Sequence, residues 1–472
     1  MAEYCTSGKE LQPAENSSYF GLLKSATDAK EVLEFLPSIS RTKQDRHLYT
    51  LPALKTLFEL QKSGKSTLRS DQIVRHPRFA ELCENIQIGY KLDHDNVQQL
   101  VELLEFVSQH KVNDRTVMNI YGKLLQNVFA ALERDLDHLP FKMLDYVLKK
   151  VLDKNLEHYP MFYHEPFLKR CAQYAVDNDI GLLNALYMLK KMNKISFLHI
   201  PLLDYIASHG SKLSLIPTSG IITIVAGFSN ANYIPSNWDT VKEEILRNSS
   251  IKNPSIPWIR YNLELLSLDI FNAKLLTHWL DPQLLEASMS RNVLMDYLQL
   301  TELGQTLRLL YSERYQGPYP AKHYQEKSVT LMLQNNDHPL LKPLEYAFGG
   351  EEYINTQVVT DYGHVLDHVI VFDADGKAVK ARVAAPETGS AVRLEDIRQL
   401  GSKSVAVLYL PKSCYAINVN RLRGRFVLHI KTIQALGVPT VTISPLIWSN
   451  LPENERIPFL QREITQALRQ QV

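Results

Sequence analysis

The chain has 472 residues, too many for one ordinary core and enough for two or three domains. Its 52 Lys and Arg against 51 Asp and Glu leave a net charge of +1. That balance excludes a global nucleic-acid footprint and a strongly basic membrane-surface protein, so any RNA-binding cations must be segregated onto one face. Hydrophobic residues at 45% with only 19 glycines point to a globular chain of many helices.

The first 18 residues carry Glu3, Glu10 and Glu15 with Lys9 as the lone cation, and the first arginine is Arg41. This stretch is expected to be disordered and resembles neither a transit peptide nor a signal peptide. Either the protein stays where it is made or a targeting segment has been removed. From 19 to 310 the pattern is helical throughout. Asp93 or Asp95 can cap a helix in which Leu100, Leu103, Leu104 and Val107 share one face. Asn113 or Asp114 opens the next, with Val117, Ile120, Leu124, Leu125 and Val128 inward. His138-Leu139-Pro140 breaks the chain before FKMLDYVLKKVLDK. Further helices are expected at 162–176, 180–191, 198–208, 219–228, 237–246, 256–271 and 275–287. Pro160, Pro201, Pro217, Pro235 and Pro254 sit at the breaks. So many short helices in series favour an α-solenoid of degenerate hairpin repeats over a bundle.

Residues 311–350 form a transition segment rich in Tyr and Pro that breaks helical periodicity and ends at Gly349-Gly350. Residues 351–472 then read as a small α/β domain. VLDHVIVF is a strand, DADG a hairpin turn and KAVKARVAA its expected partner strand. SVAVLYL is a buried strand, 421–437 a helix ending at Gly437, VPTVTISP a strand, and PENERIPFLQREITQAL a closing helix. No run approaches the ~20 apolar residues needed to span a bilayer. Cys5, Cys83, Cys171 and Cys414 are scattered without a CxxC pair, which argues against a zinc site or a disulfide framework and for a reduced compartment.

Four stretches carry a resemblance. GRFVLHIKTIQALGVPTVTISPLIWSNL looks like a RAP domain, and YGHVLDHVIVFDADGKAV is similar to the entry of that domain in the FAST kinase domain-containing proteins. HPRFAELCENI and LLYSERYQGPYP resemble that family's first and second FAST regions. The resemblance implies a mitochondrial-matrix protein that binds single-stranded RNA and acts on transcripts in stability, processing or translation. It also implies an α-solenoid plus a RAP domain like a PD-(D/E)xK nuclease fold, with other RNA-processing proteins as partners.

Kinase chemistry is excluded by the lack of a Gly-rich phosphate loop, an HRD-type loop and a DFG. A metal-dependent endoribonuclease is the sharper alternative, because a PD-(D/E)xK site needs two carboxylates on adjacent strands and a lysine. Asp367 stands where the first belongs, but Leu408 and Leu410 occupy the second strand, with Lys412 after it. Asp367 is therefore expected to be a fold relic, Asp373 and Asp375 turn formers, and neither a catalytic set nor a metal or cofactor is called for. Phosphate contacts fall to Arg421, Arg423, Arg425, His429 and Lys431 around the RAP helix, where helical spacing would bring Arg421 near Arg425. In the helical region Lys142, Lys149 and Lys150, and Lys190, Lys191 and Lys194, are further candidates. Of the 23 tyrosines, Tyr121 and Tyr146 lie at core spacing, and exposed ones could stack on bases. Trp448 is expected to anchor the RAP core. A protein-interaction scaffold is the third reading.

Overall fold

The computed structural model describes residues 20–35, 43–85, 122, 125–126, 128–130, 132–134, 136, 139–152, 163–247, 256–289, 293–334, 337–383 and 391–469. The segment 1–18, the helix expected over 93–110, Tyr121 and Pro254 lie outside these residues. The chain divides into two compact units, Met1–Ile180 and Gly181–Val472.

The described part of the first unit is helical: Ala29–Phe35, Lys43–Lys62, Ser70–Arg75, Pro77–Asn85, Phe141–Leu152 and Glu165–Asp177. Leu54, Leu57 and Phe58 are buried with Phe79, and the Phe58 and Phe79 rings meet edge-on at 6.2 Å. Phe141–Leu152 buries Leu144, Val147 and Leu148 on one stripe, as its spacing predicts, and turns Lys142 and Lys149 to solvent. Tyr146 is half-buried on this helix. His164 starts the helix Glu165–Asp177, its ring Nδ1 accepting from the Phe167 N–H at 3.2 Å.

In the second unit, α1 (Leu182–Lys194) packs on α2 (Thr218–Ala231), with Ile200–Ser208 and Trp238–Arg247 beside them. Two further helices have polar and apolar residues buried on most sides: α3 (Trp258–Ser267) and α4 (Leu294–Leu310). A helix hidden all round belongs to a core. The helix expected over 275–287 is split into Ala273–Trp279 and Pro282–Met289, because Pro282 cannot donate to the preceding turn. Residues 311–350, expected to break helical periodicity, hold α5 (Lys322–Met332) and α6 (Leu341–Phe348), and α6 ends at Gly349 with φ 98.

The sheet has the order β1-β2-β3-β4 and comprises β1 (Ile354–Val359), β2 (Val365–Phe372), β3 (Lys403–Tyr409) and β4 (Thr440–Ile443). The first three pair antiparallel, and β3 pairs parallel with β4, which demands a crossover. That crossover contains α7 (Gly424–Ala435). Alternate residues feed opposite faces. Ile370, Phe372, Val405 and Val407 pack with Leu344 of α6, Trp448, and Leu460 and Ile464 of α8 (Glu453–Arg469). Val369, Val371, Ala406 and Leu408 pack with Ile397 and with Ile433 of α7. Both faces of the sheet are thus covered by helices, so its central strands read as continuous apolar runs.

Three sequence expectations change here. The described part of KAVKARVAA, residues 377–383, is not a strand; it bridges β2 at Ala378–Phe372, beyond the point where β1 ends its pairing, and goes no further because β1 takes that edge from Ile370 back. The helix read over 421–437 begins only at Gly424. The strand read over 438–445 is the shorter β4.

Gly424 sits where α7 meets α2. A Cβ there would lie 2.7 Å from the Ser229 carbonyl oxygen, far inside van der Waals contact with backbone that cannot retreat. Gly424→Ala is expected to destabilise this unit by about 1–3 kcal/mol, visible as a lower melting temperature. An unchanged melt would mean that the helix slides freely on α2.

Candidate nucleic-acid interface

The arginine-rich segment before and along α7 is held by protein groups. Arg421 precedes the helix, so the expected i,i+4 relation to Arg425 does not exist; it is exposed, with Nη2 donating to the Asn232 carbonyl at 3.1 Å. Arg423 is the N-cap of α7. Its Nε donates to Asn230 Oδ1 at 2.9 Å and its Nη1 to the Ser413 carbonyl at 3.0 Å. Burial, reinforced by the Arg260 charge, lowers its pKa. Arg425 forms a two-pronged pair with Glu302 of α4, Nε to Oε2 at 2.7 Å and Nη2 to Oε1 at 2.9 Å. The two side chains are only 13% and 19% exposed. Burial opposes the guanidinium charge, and the Glu302 carboxylate more than offsets it, so the Arg425 pKa rises.

The loop ahead of α7 is docked as firmly. Asn418 bonds to both backbone groups of Leu198 at 2.9 Å each, and the Ile417 N–H donates to the Ser196 carbonyl at 3.1 Å. Behind Arg423 and Arg425 lies a further pair, Arg260 Nε to Glu264 Oε1 at 2.8 Å, with Glu264 buried. Three guanidinium groups and two carboxylates therefore sit between the helical layer and α7. Arg423 and Arg425 thus bond to the helical layer of the same unit, through Asn230 and Glu302.

His429 faces the same seam. Its Nδ1 is buried without a hydrogen-bond partner among the described residues, and burial lowers its pKa. Next to it, His364 is fully buried, with Nδ1 2.9 Å from Thr360 Oγ1 and Nε2 2.9 Å from Thr432 Oγ1. The Thr432 hydroxyl donates to the His429 carbonyl at 2.6 Å, so Nε2 of His364 carries the proton and Nδ1 accepts. Burial, then the neighbouring His429, holds His364 well below the usual imidazole range. Lys431, further along α7, is exposed.

The remaining cations fall in separate units. Lys142 and Lys149 are exposed in the first, while the Lys150 side chain lies outside the described residues. Lys190 and Lys194 are exposed on α1 in the second, and Lys191 is half-buried.

Asp367 is half-buried on β2, and its Oδ2 accepts the Tyr409 N–H from the end of β3 at 2.7 Å. Burial pushes its carboxyl above the usual range, against the Tyr409 amide, which pulls the other way. The register partners of β2 on β3 run from Lys403 to Val407, and β4 is Thr440–Ile443, so neither strand offers a second acid there. Among the described residues no three His, Cys, Asp or Glu side chains converge to hold a metal ion. Trp448 is buried in the sheet core, with the Arg456 guanidinium 5.3 Å from its ring centre. Sequence reading missed Glu302, Glu264, Asn230 and His364. Their signal is an acid, amide or imidazole on an otherwise apolar element, which pattern alone cannot assign to a partner.

Residues 297–380, from α4 through β2, match the family model described as FAST kinase-like protein, subdomain 2. The chain is similar to FAST kinase domain-containing protein 1, mitochondrial, of Xenopus laevis, at 24% identity over 289 residues, 55% of this chain and 34% of that protein. The human protein of the same name is 24% identical over 303 residues, 59% of this chain and 35% of the relative. FAST kinase domain-containing protein 4 of Rattus norvegicus is 26% identical over 185 residues, 37% of this chain and 28% of that protein. The matched stretch spans about a third of the length of the first two relatives.

Two outcomes follow from the geometry. Glu302→Ala leaves a guanidinium buried without its counter-charge and is expected to cost about 3 kcal/mol. Joining it to Arg425→Met should restore part of that loss, and a thermodynamic cycle in which the two changes simply add would deny the coupling. For Asp367, the raised pKa means that ionisation works against folding. The Asp367→Asn variant should therefore be at least as stable as the parent at neutral pH. Its advantage should shrink as pH falls into the usual carboxylate range and the parent protonates. Melting curves across that range would show it; a variant less stable at neutral pH than in acid, relative to the parent, contradicts the assignment.

Proposed function

We propose that this chain, a relative of the FAST kinase domain-containing proteins with a FAST kinase-like subdomain 2 at residues 297–380, is a non-catalytic RNA-binding regulator of mitochondrial transcripts. The relatives are named mitochondrial, which supports the same compartment for this chain, and in this reading it works in the matrix. The single observation that carries the reading is the subdomain match, which falls on the segment joining the helical layer to the sheet. In this reading the serial helices are a degenerate solenoid and the helix-covered sheet is a RAP domain of nuclease-like outline. The protein binds single-stranded RNA and sets transcript stability and processing alongside other RNA-processing proteins.

The absence of catalysis in this reading rests on Asp367. Its carboxylate caps the Tyr409 amide, and the neighbouring strands supply no acid to share a metal with it. The cations assigned to RNA are those that face solvent: Arg421, Lys431, Lys142, Lys149 and Lys190. Arg423 and Arg425 contribute by holding α7 in place and not by touching phosphate, and His429 Nδ1 is buried away from solvent.

Phosphate contacts release counterions, so the affinity of the purified chain for an unstructured oligonucleotide should fall linearly on a log–log plot against salt. Fluorescence anisotropy with a labelled oligouridylate, against a duplex of the same length, checks this. Absence of binding at low salt would end the reading, as would equal affinity for the duplex.

A further inference from the structure

One face of α1 is exposed in a way that packing does not explain. Leu183 is 59% and Tyr187 61% exposed, and Lys190 and Lys194 continue the same face at i+7 and i+11 from Leu183. The opposite face is ordinary core, with Ala185, Leu186, Met188, Leu189 and Met192 buried. The stripe runs about 16 Å along the helix. Large apolar side chains left in water gain nothing from burial, and where they adjoin on one face they offer a binding surface. The Tyr187 hydroxyl has no hydrogen-bond partner among the described residues.

Its charge points to the partner. α1 contains Lys190, Lys191 and Lys194 and no acid at all. The acid on the following helix, Asp204, is engaged by the Tyr233 hydroxyl at 2.6 Å. The stripe ends where the loop ahead of α7 docks, because Ile417 bonds to Ser196, two residues beyond Lys194. That loop carries the exposed Lys412 and Arg421. An open aromatic ring one turn from the exposed Lys190, on a helix that carries no acid of its own, is the chemistry of a single strand whose bases stack and whose phosphates are paired.

We infer that the exposed stripe of α1 is a single-stranded RNA contact in which Tyr187 stacks on an unpaired base and Lys190 meets an adjacent phosphate. This rests on the RNA-binding reading and deepens it by naming a subsite. The test compares the parent chain with Tyr187→Ala, Tyr187→Phe and Lys190→Gln, using a labelled oligouridylate. Both positions are solvent-facing, and matching melting curves would show that the fold is kept. Tyr187→Ala should weaken binding about tenfold and Tyr187→Phe by less than about twofold, because stacking needs the ring and not the hydroxyl. Lys190→Gln should flatten the log–log salt slope by about 0.7. If the parent binds and Tyr187→Ala binds equally well, this subsite is wrong while the RNA reading stands. If Phe loses as much as Ala, stacking is wrong. If the parent does not bind, both fall.

Discussion

The second unit depends on one buried charge pair, Arg425 with Glu302. Its partners come from α7 in the sheet crossover and from α4 in the helical layer, 123 residues apart in sequence. Neither charge has enough water to be stable alone, so each fixes the other's element. Around it, Gly424 allows backbone-close approach to α2, Arg423 caps α7 while reaching Asn230, and Asn418 clamps the loop to Leu198. The helical layer and the sheet are consequently one packed body, held by polar contacts whose geometry is directional where apolar contacts alone would permit sliding.

Much of this was legible in the sequence, and the failures have physical causes. Helices with an apolar stripe, such as Phe141–Leu152 and α1, were found because period 3.6 survives when one face meets water. The boundaries near Pro282 and Gly424 were missed, since a long helical reading absorbs a single breaker. β1 escaped because its Asn355 and Gln357 interrupt apolar alternation. Asn355 is nonetheless buried, and its side chain donates to the Ala381 carbonyl and accepts from the Val383 N–H, at 2.9 Å each. Those bonds also occupy residues 381–383, whose backbone is satisfied by the Asn355 amide and by the Glu352 carbonyl in place of a strand ladder.

The candidate site was legible in kind and not in use. A run of Arg and His beside a helix start reads as a phosphate cradle, and only three-dimensional structure reveals acids buried opposite. Asp367 shows the converse. A carboxylate on a central strand reads as a metal ligand, yet here it terminates a neighbouring strand by accepting an amide proton. His364, His368 and His429 extend the theme. All have lowered pKa values because burial disfavours the imidazolium, so the seam beside α7 and the sheet are built for neutral rings.

The flanks of the sheet carry a separate consequence. On one side, the β1 backbone meets residues 392–393, where Val359 donates to the Val392 carbonyl at 2.9 Å and bridges Arg393. On the other, β4 is only four residues long. A peptide seeking to extend the sheet finds one margin already bonded and the other too brief to template it. Strand addition at either margin is thereby disfavoured, and with it the edge-to-edge association that open sheets invite.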